Sequence, residues 1–292
     1  MKSFSTLAVL GALSTILGAM LAAGTASADE SAPAVSKING SASLSGVYHY
    51  QDNLSEGLDG ILSGSLSVPL THSFGFQADA SAATTDDDGA AGIGGHLFWR
   101  DPAKGLVGLT GAYATFPNVG GSFDMDITRV GGESEFYLGD LTLAFSGGYE
   151  DGNHTKDGFY GAAKAYWYAD DNLRLGIGAT KNPISDTAAV LDLEYQPDFA
   201  VNSGMTFFAG TSVGDDNLVI AQTGIRFYFG DAKSLKRRNR EDDPQSLTDE
   251  IFKQINPASY AKYCASTNRV TIYPQVTCGA TESGGYVPPP PP

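Results

Sequence analysis

LTLAFSGGYE, Leu141 to Glu150, sorts its side chains by parity. Leu141, Leu143, Phe145, Gly147 and Tyr149 fall on one face; Thr142, Ala144, Ser146, Gly148 and Glu150 fall on the other. A period of two over this length marks a strand with one apolar and one polar face. The period recurs in Leu173, Leu175, Ile177 and Ala179 against Arg174, Gly176, Gly178 and Thr180, and in Leu191, Leu193 and Tyr195 against Asp192, Glu194 and Gln196. Working outward, twelve such segments are predicted, at 41–50, 60–70, 74–82, 91–100, 105–116, 127–138, 141–150, 159–168, 173–181, 188–196, 205–213 and 218–229. No comparable helical pattern occurs between Asn39 and Gly230, and turn-forming clusters separate the runs.

The connections alternate in length. THS, DPAK, GD and ADDN are tight, whereas QDNLSEG, TTDDDG, PNVGGSFDMD, DGNHTKDG and NPISDT are longer; PDFAVNSG is a long connection where a short one is expected. Short turns at one end, longer loops at the other and an even strand number are what a closed transmembrane barrel requires, because lipid cannot satisfy an open sheet edge. A soluble sandwich has the same alternation with its apolar face turned inward. The aromatic residues separate the two. Phe74, Phe76, Trp99, Phe136, Trp167, Tyr195, Phe207, Phe227 and Phe229 lie toward the turn end, and Tyr48, Tyr50, Tyr113, Tyr149 and Phe159 toward the loop end. Leu, Val, Ile, Ala and Gly fill the middle of the same face. Two girdles around an apolar band suit a membrane; a sandwich core has no reason to sort its aromatics so. The expected fold is therefore all-β: a closed antiparallel transmembrane barrel of twelve strands over 39–230.

The last strand carries Gln222-x-Gly224-x-x-Phe227-x-Phe229, a polar residue, a glycine and two spaced aromatics. With the alternation, this resembles the porin-like outer-membrane β-barrels of Gram-negative bacteria, over roughly Asn39 to Gly230. The resemblance implies that Gln222, Gly224, Phe227 and Phe229 form a signal read by the barrel-assembly machinery, that the surroundings are outer-membrane lipids, and that both termini are periplasmic.

The flanks agree with export. Lys2, the apolar run Leu7–Ala22 and Ala26-Ser27-Ala28 make residues 1–28 a secretory signal peptide cleaved before Asp29, with 29–38 as a short periplasmic lead. Charge then divides the chain: 9 basic and 26 acidic residues lie in Asp29–Gly230, against 8 basic and 7 acidic in Asp231–Pro292. An acidic body repels phosphates and argues against nucleic acid as a partner. The tail 231–292 is expected in the periplasm, where a cell-wall or periplasmic partner could meet it. LKRRNR, Leu235–Arg240, followed by Glu241, Asp242 and Asp243, reads as a solvated linker. SLTDEIFKQI reads as one short helix, with Ser246 as N-cap, Asp249 three residues on, and Leu247, Ile251 and Ile255 on one face. Cys264 and Cys278 are expected to pair in an oxidising compartment, and the end, VPPPPP, favours an extended polyproline conformation.

Chemistry is sparse. An esterase, as in the outer-membrane phospholipase, needs a serine, a histidine and an orienting group within reach of one another. His49 shares a face with Ser43 and Ser45, but no nucleophile-elbow pattern is present, and His72-Ser73 sits in a turn. Asp86-Asp87-Asp88-Gly89 lacks the ligand spacing of a calcium loop. No enzyme activity, metal or cofactor is expected. The polar face instead offers Asp79, His96, Arg129, Glu133, Glu135, Glu150, Lys164, Arg174, Asp192, Glu194 and Arg226. These suit either a charged constriction that selects ions or an internal salt-bridge network that stiffens a narrow barrel. The leading expectation is passive diffusion of small solutes or ions with a preference for cations. The alternatives are a plugged structural barrel anchoring an interaction tail and, last, an outer-membrane esterase.

Overall fold

The computed structural model describes residues 32–254 apart from 52–54, 85–88, 120–122, 154–156, 184–185, 215–216 and 243. The signal peptide, Asp86 to Asp88 and the Cys264–Cys278 pair therefore lie outside the described residues.

Twelve strands follow one another: β1 (Asn39–Gln51), β2 (Ser55–Pro69), β3 (Phe74–Thr84), β4 (Gly89–Asp101), β5 (Gly105–Val119), β6 (Phe123–Leu138), β7 (Leu141–Asp151), β8 (Gly158–Asp170), β9 (Leu173–Asn182), β10 (Asp186–Tyr195), β11 (Met205–Gly214) and β12 (Val219–Phe229). Each pairs antiparallel with its neighbours, and β12 returns to β1 in a register running from Gly40 opposite Phe229 to Tyr50 opposite Val219. Closure leaves no unpaired edge, which is the condition for placing a sheet in lipid. The twelve-strand barrel is thus present as the alternation implies. The strands differ from expectation mainly at the loop end, where β2 begins at Ser55 and β6 at Phe123. Backbone pairing continues past the apolar band there, because ladder hydrogen bonds do not require apolar side chains.

The barrel is apolar outside and polar inside. Leu44, Leu58, Leu62, Ile93, Val130, Ile177 and Leu191 are exposed on its outer surface, whereas Ser43, Gln77, Asp79, His96, Arg129, Glu150, Arg174 and Glu194 are buried. The aromatics face outward at both rims: Phe76, Phe136, Trp167, Phe207, Phe227 and Phe229 at the turn end, Tyr48, Tyr50, Tyr113 and Phe159 at the loop end. Tyr149 and Phe159 meet edge to face across β7 and β8, with ring centroids 5.5 Å apart.

The described segments before β1 and after β12 pack against the barrel. Among the described residues, those after Gly230 form α1 (Leu235–Glu241) and α2 (Leu247–Gln254). α1 lies across the turn-end mouth and touches β9, while α2 lies inside the barrel against β2, β3, β4, β5 and β12. The lead is also tucked in: Ala34 and Val35 are fully buried, and Val35 packs with Phe98 and Leu106. The long PDFAVNSG connection folds over the same mouth as a 3-10 turn, Asp198–Ala200, and the Val201 carbonyl accepts from Arg238 at 3.2 Å.

Candidate functional site

The site is the lumen and the segment that fills it. Parity places the strand charges inside, and the register then brings together residues far apart in sequence. On the β4 side, His96 bridges two carboxylates, with Nε2 2.9 Å from Asp79 Oδ2 and Nδ1 2.9 Å from Glu133 Oε1. Gln77 Nε2 donates to Asp79 Oδ1 at 2.8 Å, and Gln77 Oε1 accepts from Ser67 Oγ at 2.8 Å. Across β6 and β7, Arg129 Nε donates to Glu150 Oε2 at 2.6 Å, and the guanidinium lies 4.7 Å from the Tyr160 ring centroid. Glu135 accepts from the Tyr137 hydroxyl at 2.8 Å.

A third cluster sits on β9–β12. Glu194 is fully buried and receives Arg174 at 2.9 Å, Arg226 at 3.5 Å, Thr206 Oγ1 at 2.9 Å and the Tyr228 hydroxyl at 2.9 Å. The two guanidiniums stack on aromatic faces, Arg174 over Tyr166 and Arg226 over Phe208. Planar Arg suits this double use. Asp192 lines the adjoining polar cavity, together with Ser41, Tyr166, Arg174, Arg226 and Arg240.

α2 completes these clusters. The Leu247 amide donates to Asp79 Oδ2 at 3.0 Å, so a carboxylate meets the positive end of the helix. Thr248 and Ser81 hydroxyls lie 2.7 Å apart, Ser63 donates to Asp249 at 2.5 Å, and Arg226 reaches Asp249 at 3.4 Å. Lys164 Nζ donates to Glu250 Oε1 at 2.5 Å. Further in, Ile251 and Phe252 join an apolar cluster with Val47, Phe116, Met125, Ile127, Leu218 and Ile220. The Phe252 and Phe116 rings are 5.4 Å apart, edge to face. A helix this short is marginal alone in water, so its order rests on the lumen wall.

α1 seals the mouth with buried and half-buried arginines. Arg240 donates to the Gly139 carbonyl at 2.8 Å and the Leu141 carbonyl at 3.0 Å, and lies over Tyr137 and Tyr168. Arg238 donates to the Lys233 and Val201 carbonyls, each at 3.2 Å. Arg100, almost fully buried on β4, donates to the carbonyls of Ala34 and Asp242 at 3.2 and 3.0 Å, joining lead to tail. LKRRNR is therefore a capping helix rather than a solvated linker. Its charges find carbonyl acceptors that exist only once the turns of β6–β7 and β10–β11 are assembled.

Acid should loosen this seal. Burial tends to raise the Glu241 carboxyl, but hydrogen bonds from Arg237 and Lys233 hold it below the usual range. Lys236 does the same for Asp140, and Lys37 for Asp231. Carboxylates held low contribute stability above their ordinary values and lose it as pH falls through the lowered ones. Amide exchange across 235–241, corrected for its intrinsic rate, is expected to rise as pH falls below the carboxylate range. Unchanged protection there would show that these ion pairs do not hold the cap.

The strand charges named from the sequence all lie on the inner side or in its clusters. Missed were Gln77 and Arg100 in the wall, and Lys233, Arg238, Arg240, Asp249 and Glu250 in the tail. Arg100 shares parity with His96, which was the available signal; the tail residues gave none. For the esterase constellation, His49 Nδ1 lies 3.1 Å from Asp59, while Ser45 accepts from Gln222 at 2.8 Å. Neither Ser43 nor Ser45 bonds to His49 among the described contacts.

No family model and no curated protein matches this chain. Among solved structures, it is similar to the KdgM porin in complex with disordered oligogalacturonate, at 10% identity and TM-score 0.49, covering 64% of this chain and 99% of that one. It is similar to an outer-membrane channel from Pseudomonas putida F1 at 11% identity and TM-score 0.48, covering 70% and 100%. The outer-membrane phospholipase of Salmonella typhi follows at 11% identity and TM-score 0.45, covering 68% and 92%.

Proposed function

We propose that this protein is a porin-like outer-membrane barrel whose pore is closed by its own C-terminal segment. One observation carries the reading: α2 occupies the lumen and pairs with Asp79, Ser63, Lys164 and Arg226 of its wall. The closed sheet and the apolar exterior fit insertion into lipid. The lumen charges serve two ends, filling the barrel around the plug and, once it is displaced, setting ion preference. Asp79, Glu133, Glu135, Glu150, Asp192 and Glu194 outnumber Arg100, Arg129, Lys164, Arg174 and Arg226 by one, which favours cations.

Planar-bilayer recording of the intact protein tests the plug. The expected trace is silent, or flickers briefly as α2 shifts. Steady open steps from the intact chain would overturn the plugged reading and leave an open porin, for which the polar cavity beside α2 would be the path.

Assembly through the last strand is part of the same proposal. Phe227 and Phe229 point outward, Phe229 at 56% exposure, so the fold does not need the ring. Gly224 faces inward at the closing seam, where an added Cβ would fall 2.5 Å from the Leu44 carbonyl oxygen and 2.6 Å from the Phe208 ring. Phe229→Ala is expected to refold in detergent like the parent but to insert less well in cells. Gly224→Val is expected to lose about 1–3 kcal/mol of barrel stability by overpacking, seen as a lower temperature of heat-induced gel shift. Normal cellular insertion of Phe229→Ala would remove the signal role of the aromatic.

A further inference from the structure

The direction of α2 raises the question of where the chain goes next. The polypeptide leaves β12 at the turn end, where Gly230 takes a positive φ of 99°. It crosses the mouth as α1 and then runs inward. Just before the helix, the Pro244 carbonyl accepts from Gln77 in the turn-end half of β3; Leu247 meets Asp79 midway along that strand, and Phe252 meets Phe116, toward the loop end of β5. A Cβ on Gly92, near the loop end of β4, would come within 3.3 Å of the Phe252 ring. The helix therefore travels from the turn end toward the loop end, and its last turn sits in the loop-end half of the lumen.

Thirty-eight residues, 255–292, follow Gln254. A chain of that length can span on the order of 100 Å when extended, far more than the rest of the barrel. To return to the turn end it would have to pass α2 again, through the polar space between the helix and β10–β12, and then cross the mouth that α1, the lead and the 198–200 turn cover. Leaving by the loop end needs no second pass. The composition of the segment suits water: Lys262, Arg269 and Glu282 are its only charged side chains, and it closes in Gly284-Gly285 and five prolines.

We propose that the chain is threaded through its own barrel, so that residues after Gln254 are presented at the loop end, on the cell surface. This rests on the plugged-barrel reading and extends it: the plug is also the stem of a displayed C-terminal segment. That segment holds both cysteines of the chain, Cys264 and Cys278. A periplasmic C-terminus is the competing arrangement, and in both the N-terminal lead, bound at the mouth through Ala34 and Ser36, stays on the turn side.

Intact Gram-negative cells expressing the full chain provide the test. After mild reduction, they are treated with a polyethylene-glycol maleimide too large to pass porins. Cys264 and Cys278 are expected to label as fully as in lysed cells. Two marker variants in a background lacking both cysteines fix the orientation: Asp87→Cys for the loop end, expected to label, and Thr71→Cys for the turn end, expected to stay unlabelled. Labelling of Asp87→Cys without labelling of the native cysteines would overturn threading. If the intact protein is nevertheless silent in bilayers, the plug stands and only the exit is wrong. Steady open channels with an unlabelled tail would sink both.

Discussion

Deleting residues 231–292 is expected to turn a silent protein into one that conducts in steady steps. The barrel does not need the tail to close, because the β1–β12 ladder is complete at Phe229. What the deletion removes is the cap that Arg238 and Arg240 fasten to the turn carbonyls, and the helix paired with Lys164 and Arg226. Water then reaches a wall of Ser, Asp, Glu and Arg side chains at the turn-end half. The loop-end half is less accommodating, since Phe116, Met125, Ile127 and Ile220 lose the cover of Ile251 and Phe252. Losing a well-packed Phe alone costs about 3–5 kcal/mol in a protein core, so the truncated barrel should also be less stable. Glu250→Lys separates the two effects. It keeps the tail but sets a second cation against Lys164, and should raise the open fraction while leaving heat modifiability near that of the parent. With the plug gone, the reversal potential in a salt gradient is expected to show cation preference. Anion selectivity would overturn the reading of the lumen charges, and a silent truncated barrel would show that α2 was not the obstruction.

Glu194→Leu is expected to be the most damaging single change in the wall. Glu194 is the shared acceptor of Arg174, Arg226, Thr206 and Tyr228, and no part of it is exposed. Removing one partner of a buried ion cluster leaves charges uncompensated, at a cost of about 3–5 kcal/mol. Here Arg174 loses its carboxylate and Arg226 keeps only Asp249, so the upper part of that range is expected, tempered by whatever water the adjoining cavity supplies. Urea unfolding in detergent should show the loss directly. Glu194→Gln keeps the acceptor for Thr206 and Tyr228 but not the charge, and should fall between parent and Leu. A Leu variant as stable as the parent would mean that the cluster is hydrated and that Arg174 and Arg226 do not depend on Glu194.

The two halves of the chain were unequally legible. Leu141 to Glu150 could be read because a strand makes every second side chain share a face, and that rule holds whatever the strand packs against. Arg129, Glu150, Arg174 and Glu194 were placed by the same parity. Arg100 shared that parity too, but stood at a strand end among Trp99 and Asp101 and gave no sign of bridging Ala34 to Asp242. SLTDEIFKQI was legible as a helix with one apolar face. The pattern says that Leu247 and Ile251 are covered, and is silent on what covers them.

What the sequence determined, then, was the local and periodic: twelve strands, their two faces, the aromatic rims and the existence of a short capped helix. The tertiary structure decided where that helix goes. Phe116, Met125, Ile127, Ile220 and Val47 become one apolar surface only when β1, β5, β6 and β12 curve into a single wall. Lys164 and Arg226 likewise converge on one helix only after the sheet has closed, since closure alone brings β8 and β12 to face a common axis. A seat assembled from five strands has no period in the chain, and so a tail that looks like an appendage becomes the content of the barrel.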